Sequence, residues 1–156
     1  MKTMPIALAT CTMVLAACGD ADRERVVTRT DYDVVVTGTR QFEWDTDAGP
    51  GVIKVLLEQS NLGGPGAEVA EIFFPPGYHG TTHPHELEII YVLEGELDHI
   101  VNGESHILEP GMIGVVREPD LVVHRSHSTG GVRVLVFWPL GGEVAGFAGM
   151  RETALH

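Results

Sequence analysis

Basic residues are scarce in this sequence of 156 amino acids. Ten Lys and Arg stand against 22 Asp and Glu, which gives a formal net charge of −12 and a pI of about 4.9. Nucleic-acid binding requires clustered Lys and Arg that neutralise phosphates. The composition therefore argues against a nucleic-acid partner.

Cysteine is rarer still, since only Cys11 and Cys18 occur. The segment before Cys18 begins with Met1 and Lys2, continues with an apolar stretch too short to span a membrane, and ends in Leu-Ala-Ala. This is the arrangement of a secretory signal, and Leu-Ala-Ala-Cys resembles the lipobox of bacterial lipoproteins. The resemblance implies that residues 1–17 are removed and that Cys18 carries lipid. An ordinary signal peptide with an incidental cysteine is the alternative.

The segment after Cys18 predicts how the protein is attached. Residues 18–30 are polar and charged without apolar periodicity, so we expect a flexible tether. Several acyl chains on one residue anchor more stably than a single chain does. We therefore expect an exported lipoprotein that is attached to a bacterial membrane by its lipid only, on the periplasmic or cell-surface side.

Long helical patterns are also missing. Nineteen Gly and nine Pro separate short runs of Val, Ile, Leu and Phe, at a spacing typical of an all-β sandwich or barrel. Asn102-Gly103 favours a two-residue turn, because both positions tolerate positive φ, and it predicts a hairpin over Leu97–Leu108. The predicted strands are Asp33–Thr37, Val52–Glu58, Glu68–Phe74, Leu87–Leu93, Leu97–Val101, Ser105–Leu108, Ile113–Val116, Val122–Arg125 and Val132–Trp138.

The length of the chain supports one hydrophobic core. The signal peptide is predicted at 1–17, the tether at 18–30 and a single β domain at 31–140. Residues 141–156 form either a C-terminal tail or a short helix in this prediction.

Histidines and carboxylates are concentrated between Gly77 and Gly95. Residues two apart on a strand share a face, so His83 and His85 are expected to point together. Glu88 would then point to the other side unless a bulge near Pro84 brings it round.

Three alternatives to Glu88 remain, and two more histidines lie farther along the chain. If no bulge exists, Glu86, His79 or a water takes the position of Glu88. Farther along the chain, His124 follows Pro119 and a short loop, and His127 lies on the opposite face of a straight strand from His124.

These residues resemble the two motifs of the cupin superfamily. Gly77, five residues, His-x-His, Glu88, six residues and Gly95 match the first motif, with one residue fewer before Glu88 than the family has. Gly103, Pro110 and then His124 resemble the second motif, in which the glycine of the family's Pro-x-Gly is displaced to Gly111. In the family a proline and a short loop precede the third ligand histidine, so the resemblance implies that His124 is the third ligand, with His127 as its competitor. Together the motifs span about residues 70 to 138. The resemblance implies an all-β, cupin-type double-stranded β-helix, a jelly-roll barrel of antiparallel strands. It also implies one divalent metal ion, Fe, Mn, Zn, Ni or Cu, held by His83, His85, Glu88 and His124.

A metal centre of this kind predicts a small-molecule ligand or substrate. We expect a metal-dependent, dioxygenase-like enzyme with oxidative or isomerising chemistry, because three or four protein ligands leave exchangeable positions. A non-catalytic module that binds metal or a metabolite is the alternative. A homodimer formed through edge strands is a further expectation from the resemblance.

His99 and His106 lie on the predicted hairpin in phase with its apolar residues. Alternation predicts that both point inward. We expect a role in the core or the cavity wall for both of them rather than metal ligation.

Overall fold

The computed structural model describes residues 38–155. The signal segment, Cys18, the tether and the predicted strand at 33–37 lie outside the described residues. Within 38–155, no helix is both long enough and apolar enough to cross a membrane.

Eleven strands, one short α-helix and one 3₁₀ helix make up the described chain. Every strand predicted between Val52 and Trp138 is present, whereas β1, β4 and β11 were not predicted. In chain order the elements are β1 Arg40–Trp44, β2 Gly51–Leu57, α1 Gln59–Leu62, β3 Glu68–Phe74, β4 His83–Pro84, β5 Leu87–Glu94, β6 Leu97–Val101, β7 Glu104–Leu108, β8 Ile113–Arg117, β9 Leu121–Ser126, β10 Val132–Trp138, the 3₁₀ helix Val144–Gly149 and β11 Arg151–Thr153.

The strands form two antiparallel sheets. The large sheet has seven strands in the order β11-β1-β2-β3-β10-β5-β8, and the small sheet has four in the order β4-β9-β6-β7. Alternate residues along the strands are buried, as the period-2 pattern predicted. Strand β10 shows this most clearly, since Val132, Val134 and Val136 are buried and the residues between them are not. The predicted all-β architecture is confirmed.

The predicted hairpin is present and has the predicted turn. Strand β6 pairs with β7 so that Val101 lies opposite Glu104, which leaves only Asn102 and Gly103 in the loop. Both loop residues have positive φ, 53° and 83°. This is the conformation that Asn-Gly tolerates best.

The residues after β10 return to the large sheet. The 3₁₀ helix is fixed at its start by the Val144 amide, which donates to Glu68 Oε2 at 2.8 Å. Strand β11 then pairs with β1, with Glu152 opposite Phe42. The C-terminal region therefore contains a short helix and also an edge strand.

Candidate metal centre

A cavity of about 270 Å³ is lined by residues of both sheets and of the C-terminal segment. Most of its wall is apolar, and four predicted metal ligands form a polar region on one side. The lining residues are Trp44, Ile53, Ile72, Phe74, Tyr78, His83, His85, Glu88, Ile90, His124, Val136, Trp138, Phe147 and Met150.

A change of sheet brings Glu88 beside the histidines. His83 belongs to β4 in the small sheet, whereas Glu88 belongs to β5 in the large sheet, and the chain crosses between them at His85 and Glu86. The face of Glu88 is therefore set by β5, where it is buried in phase with Ile90. The expectation of one continuous strand with a bulge near Pro84 is wrong, because two strands of different sheets replace it.

The three predicted imidazole ligands lie near one another, and two of them contact Glu88. His85 Nε2 is 3.2 Å from Glu88 Oε2, and His124 Nε2 is 3.1 Å from Glu88 Oε1. The ring of His83 lies 4.8 Å from that of His85 and 5.4 Å from that of His124, measured between centroids. Glu88 is only 2% exposed. Each oxygen of a buried carboxylate thus faces one imidazole.

These donor atoms fit a divalent metal ion. His85 Nε2, Glu88 Oε1 and His124 Nε2 are buried without a hydrogen-bond partner, so the 3.1 Å contact between His124 and Glu88 lacks the alignment of a hydrogen bond. Buried polar atoms without partners are rare because they lose solvation and gain nothing in return. Metal–ligand bonds of about 2.0–2.2 Å place neighbouring ligand atoms roughly 3 Å apart. The two Glu88 oxygens lie at this separation from His85 Nε2 and from His124 Nε2. A cation bound by Glu88 and these imidazoles would supply the missing partners.

Neighbouring groups orient the donor atoms toward the cavity. His83 Nδ1 lies 2.7 Å from the Thr81 carbonyl oxygen, and His85 Nδ1 lies 3.2 Å from Glu143 Oε1. A proton on each Nδ1 donates to these oxygens and leaves the Nε2 lone pair free for a metal. Trp138 Nε1 donates to Glu88 Oε2 at 3.1 Å and fixes the carboxylate.

Electrostatics keep Glu88 ionised. Burial alone raises the pKa of this carboxyl, but His124, His85 and His99 outweigh burial and lower the pKa to about 2. Burial and the neighbouring imidazoles lower the pKa of His83. Burial also lowers the pKa of His85, but Glu143 and Glu88 outweigh it and raise the pKa above its ordinary value.

His99 lies directly behind His124. The two rings stack at 5.3 Å with 6° between their planes, and His99 is only 3% exposed. Its Nε2 has no hydrogen-bond partner. One ligand atom from each of Glu88, His99 and His124 lies within 4.8 Å of the others, so these three side chains could also hold a metal. The sequence pattern had assigned His99 to the core or the cavity wall only.

The prediction for His106 is wrong. It lies opposite His99 in the β6–β7 register, and directly opposed residues share a face. His106 is nevertheless exposed, because β7 is the edge strand of the small sheet.

The alternative ligands lie away from the cluster. Glu86 is exposed at the crossover between the sheets, and His79 is exposed beside Arg125, to which its backbone is bridged. His127 is exposed and lies 3.9 Å from Glu96. None of the three alternatives lines the cavity. Glu143 is the residue that sequence reasoning missed, because only the fold brings it to His85.

Comparisons with known proteins agree with this architecture. Residues 70–138 match the family model for the cupin domain, Cupin_2. No curated protein sequence matches the chain.

Solved structures of several cupins are similar in fold. A predicted oxalate decarboxylase from Thermotoga maritima is 22% identical with a TM-score of 0.54, and the match covers 60% of this chain and 83% of that protein. An RmlC-like cupin from Shewanella frigidimarina is 20% identical with a TM-score of 0.54, over 66% of this chain and 86% of that one. KdgF from Halomonas sp. is 22% identical with a TM-score of 0.53, over 65% and 89%. The described chain therefore has the cupin fold, and the family match and these neighbours support its assignment to the cupin superfamily.

Proposed function

We propose that this protein binds one divalent metal ion through His83, His85, Glu88 and His124 and transforms a small molecule bound beside it. The observation that carries the proposal is the convergence of these four side chains, three with unpartnered buried donor atoms, on one side of an apolar cavity. Three imidazoles and one carboxylate leave two open positions at six-coordination. The ligand set is compatible with Fe, Mn, Zn, Ni or Cu.

The chain itself supplies orientation and an apolar wall. Thr81 and Glu143 hold the imidazoles of His83 and His85, and Trp138 holds the carboxylate of Glu88. When bound, a metal at these residues would polarise a substrate oxygen or activate water, and iron or copper would also support oxidative chemistry. The apolar wall lowers the local dielectric constant, which strengthens electrostatic interactions beside it.

A non-catalytic binding module is the second candidate, and one observation favours it. Besides the four proposed ligands, Tyr78 is the only ionisable side chain among the described residues that line the cavity. Burial raises the pKa of Tyr78, which makes it a poor general base at neutral pH. Catalysis would therefore depend on the metal.

Metal content tests the site. The purified chain carrying Cys18→Ser should bind close to one equivalent of a first-row metal, measured by elemental analysis. His83→Ala or His85→Ala should nearly abolish binding, whereas Glu86→Ala is the matched control and should keep it. Full occupancy in both histidine variants would refute the assignment.

Turnover distinguishes the two candidates. The protein loaded with Fe²⁺, Mn²⁺ or Ni²⁺ is assayed for dioxygen consumption and product formation across diketones, phenolics and small acids. Turnover that disappears in His124→Ala supports an enzyme. Stoichiometric ligand binding without turnover under every metal supports the binding module.

The cellular context is part of the proposal. Lipidation of Cys18 in an exported lipoprotein is supported by the Leu-Ala-Ala-Cys pattern, and palmitate labelling that disappears in Cys18→Ser tests it. A homodimer is supported by β8, an edge strand that exposes Ile113 and Val115. Light scattering should give a dimeric mass, and Val115→Lys should lower it to a monomeric mass.

A further inference from the structure

The cavity wall carries almost no polar group apart from the proposed metal ligands. Nine of its residues are aliphatic, aromatic or thioether side chains: Trp44, Ile53, Ile72, Phe74, Ile90, Val136, Trp138, Phe147 and Met150. No Lys, Arg, Asn, Gln, Ser or Thr is among the described residues that line it. Besides the metal site, only Tyr78 and the buried indole N–H of Trp44, which has no partner among the described residues, can meet polar atoms of a ligand.

From this wall we infer the substrate class: a compact molecule with an apolar, aromatic body and a single oxygen-donor end that binds the metal. The inference rests on the proposed function, since the oxygen-donor end needs the metal. A second carboxylate would meet no cation here, and several hydroxyl groups would outnumber the two donors of Tyr78 and Trp44. Each buried group left unpaired would weaken binding by about 5- to 160-fold. The site therefore selects against sugars and dicarboxylates.

Aromatic rings on one wall favour an aromatic body. Phe74 stacks with the metal-site ring of His124 at 5.6 Å and with Tyr78 at 5.1 Å. Trp44 meets Phe74 and Tyr78 edge-on at 6.2 and 5.6 Å. The aromatic surface thus begins at a proposed ligand and continues into the cavity. Rings pack well against such surfaces in offset or edge-to-face geometry.

The C-terminal segment supplies another part of the wall. Phe147 packs against Phe42 and Trp138, with both pairs of ring centroids 5.9 Å apart, and Met150 also lines the cavity. The flexible, polarisable side chain of Met adapts to ring edges. Both residues lie beyond the segment that matches the cupin family, so they are candidates for determining the specificity of this chain.

Three hydroxamates with the same metal-binding group test the inference. Acetohydroxamate, benzohydroxamate and the hydroxamate of succinic acid differ only in carrying a methyl, a phenyl or a carboxylate-bearing body. Binding to the Zn²⁺-loaded chain is measured by calorimetry. Benzohydroxamate should bind about 10- to 100-fold more tightly than acetohydroxamate, because it buries a ring. The succinic compound should bind more weakly than either.

The two proposals fail in different ways. A chain that takes up no metal refutes the proposed function. Uptake of one metal equivalent, without tighter binding of benzohydroxamate than of acetohydroxamate, overturns only the substrate class. Uptake of metal without binding of any hydroxamate has the same consequence.

Matched variants test whether the selectivity between hydroxamates arises in the cavity. Met150→Lys adds a cation to the wall and should lower the preference for benzohydroxamate over the succinic compound at least tenfold. Met112→Lys makes the same change at an exposed position outside the cavity and should leave the preference unchanged. Equal effects of the two variants would overturn the inference.

A second cavity variant covers a failure of Met150→Lys to fold. Phe147→Ala enlarges the cavity, so a naphthyl hydroxamate should gain affinity relative to benzohydroxamate. No relative gain in a folded Phe147→Ala protein would also overturn the inference.

Discussion

The two sheets contribute different chemistry to the same interior. The inner face of the large sheet is apolar along β2 and β10, and the one carboxylate that it adds to the cluster is Glu88. The small sheet presents imidazoles, with His83 on β4, His124 on β9 and His99 on β6, and His85 follows β4 directly. Neither sheet holds the donor set alone. A metal at this place would therefore join the sheets, and its binding free energy would add to the free energy of unfolding.

Removing the charge of Glu88, which the large sheet contributes, should have the largest effect on metal affinity. Glu88→Gln keeps the shape and an oxygen that can accept from Trp138, but it removes the negative charge among the imidazoles. Metal affinity should fall by more than the 10–100-fold typical of outer-shell partners. Competition with a chromophoric chelator measures this. Glu86→Gln changes an exposed neighbour and should retain wild-type affinity, and equal affinities of all three proteins would show that the sheets are not joined through Glu88.

The small sheet also has a buried apolar side chain in the core, and truncating it should lower stability without changing metal stoichiometry. Leu97 on β6 is fully buried in the core. Leu97→Ala should lower the free energy of unfolding by about 3 kcal/mol through lost burial and a residual cavity. Urea denaturation measures this change, and metal stoichiometry should stay at one. Leu140→Ala, at an exposed position, should change the free energy of unfolding by less than about 0.5 kcal/mol.

Acid should destabilise the metal-free protein through His99. Burial and the adjacent His124 lower the pKa of His99 from 6.5 to about 4. Between these values the unfolded chain binds the proton and the folded chain does not, so stability falls as the pH falls. From pH 7 to pH 5 the loss due to His99 should be about 2 kcal/mol. The pKa of Glu88, about 2, places its own titration below this range.

The exposed partner of His99 provides the control for this prediction. Urea denaturation in the presence of EDTA is compared at pH 7 and pH 5. His99→Leu should remove the loss of stability due to His99, whereas His106→Leu should retain it. An unchanged pH dependence in His99→Leu would contradict the prediction.

The smallest effect on metal affinity is expected from Glu143, a residue of the C-terminal segment. Glu143→Gln weakens the contact that orients His85, and metal affinity should fall about tenfold, at the low end for such partners. Isothermal titration with Zn²⁺ measures this. Glu152→Gln, an exposed residue of β11, should leave the affinity unchanged. A loss as large as that in Glu88→Gln would mean that Glu143 is itself a ligand.

The all-β pattern was predictable from the sequence because most strands alternate clearly and end at Gly or Pro turns, whereas the jelly-roll arrangement was inferred from the resemblance to the cupin motifs. Strand β1 escaped prediction because it combines buried Phe42 with buried Gln41, which donates to the side chain of Thr153 at 3.1 Å. Gln41 interrupts the apolar alternation of this strand, and the residue with which it forms a hydrogen bond lies 112 positions away in the sequence. Strand β11 has only three residues, too few to show a period.

The candidate site was predictable in its residue types but not in its geometry. Alternation counted forward from His85 predicts that Glu88 points away from the histidines, which is wrong. Alternation counted back from the buried residues Ile90 and Val92 places Glu88 on the buried face of β5, as observed. The error came from assuming one strand where the chain changes sheets. Glu143 carries no local signal, because its contact with His85 joins residues 58 positions apart.

The C-terminal segment is fastened at two points beside the cavity, and we expect this fastening to affect how quickly a bound molecule leaves. Phe147 and Met150 line the cavity on a stretch held at one end by Glu68 and at the other by the three-residue pairing of β11 with β1. Detaching this stretch removes β11 from the edge of the large sheet and leaves the other strands of both sheets paired, so it would be a local opening rather than global unfolding. We expect a longer or shorter β11 to change the residence time of a ligand without altering any proposed ligand of the metal.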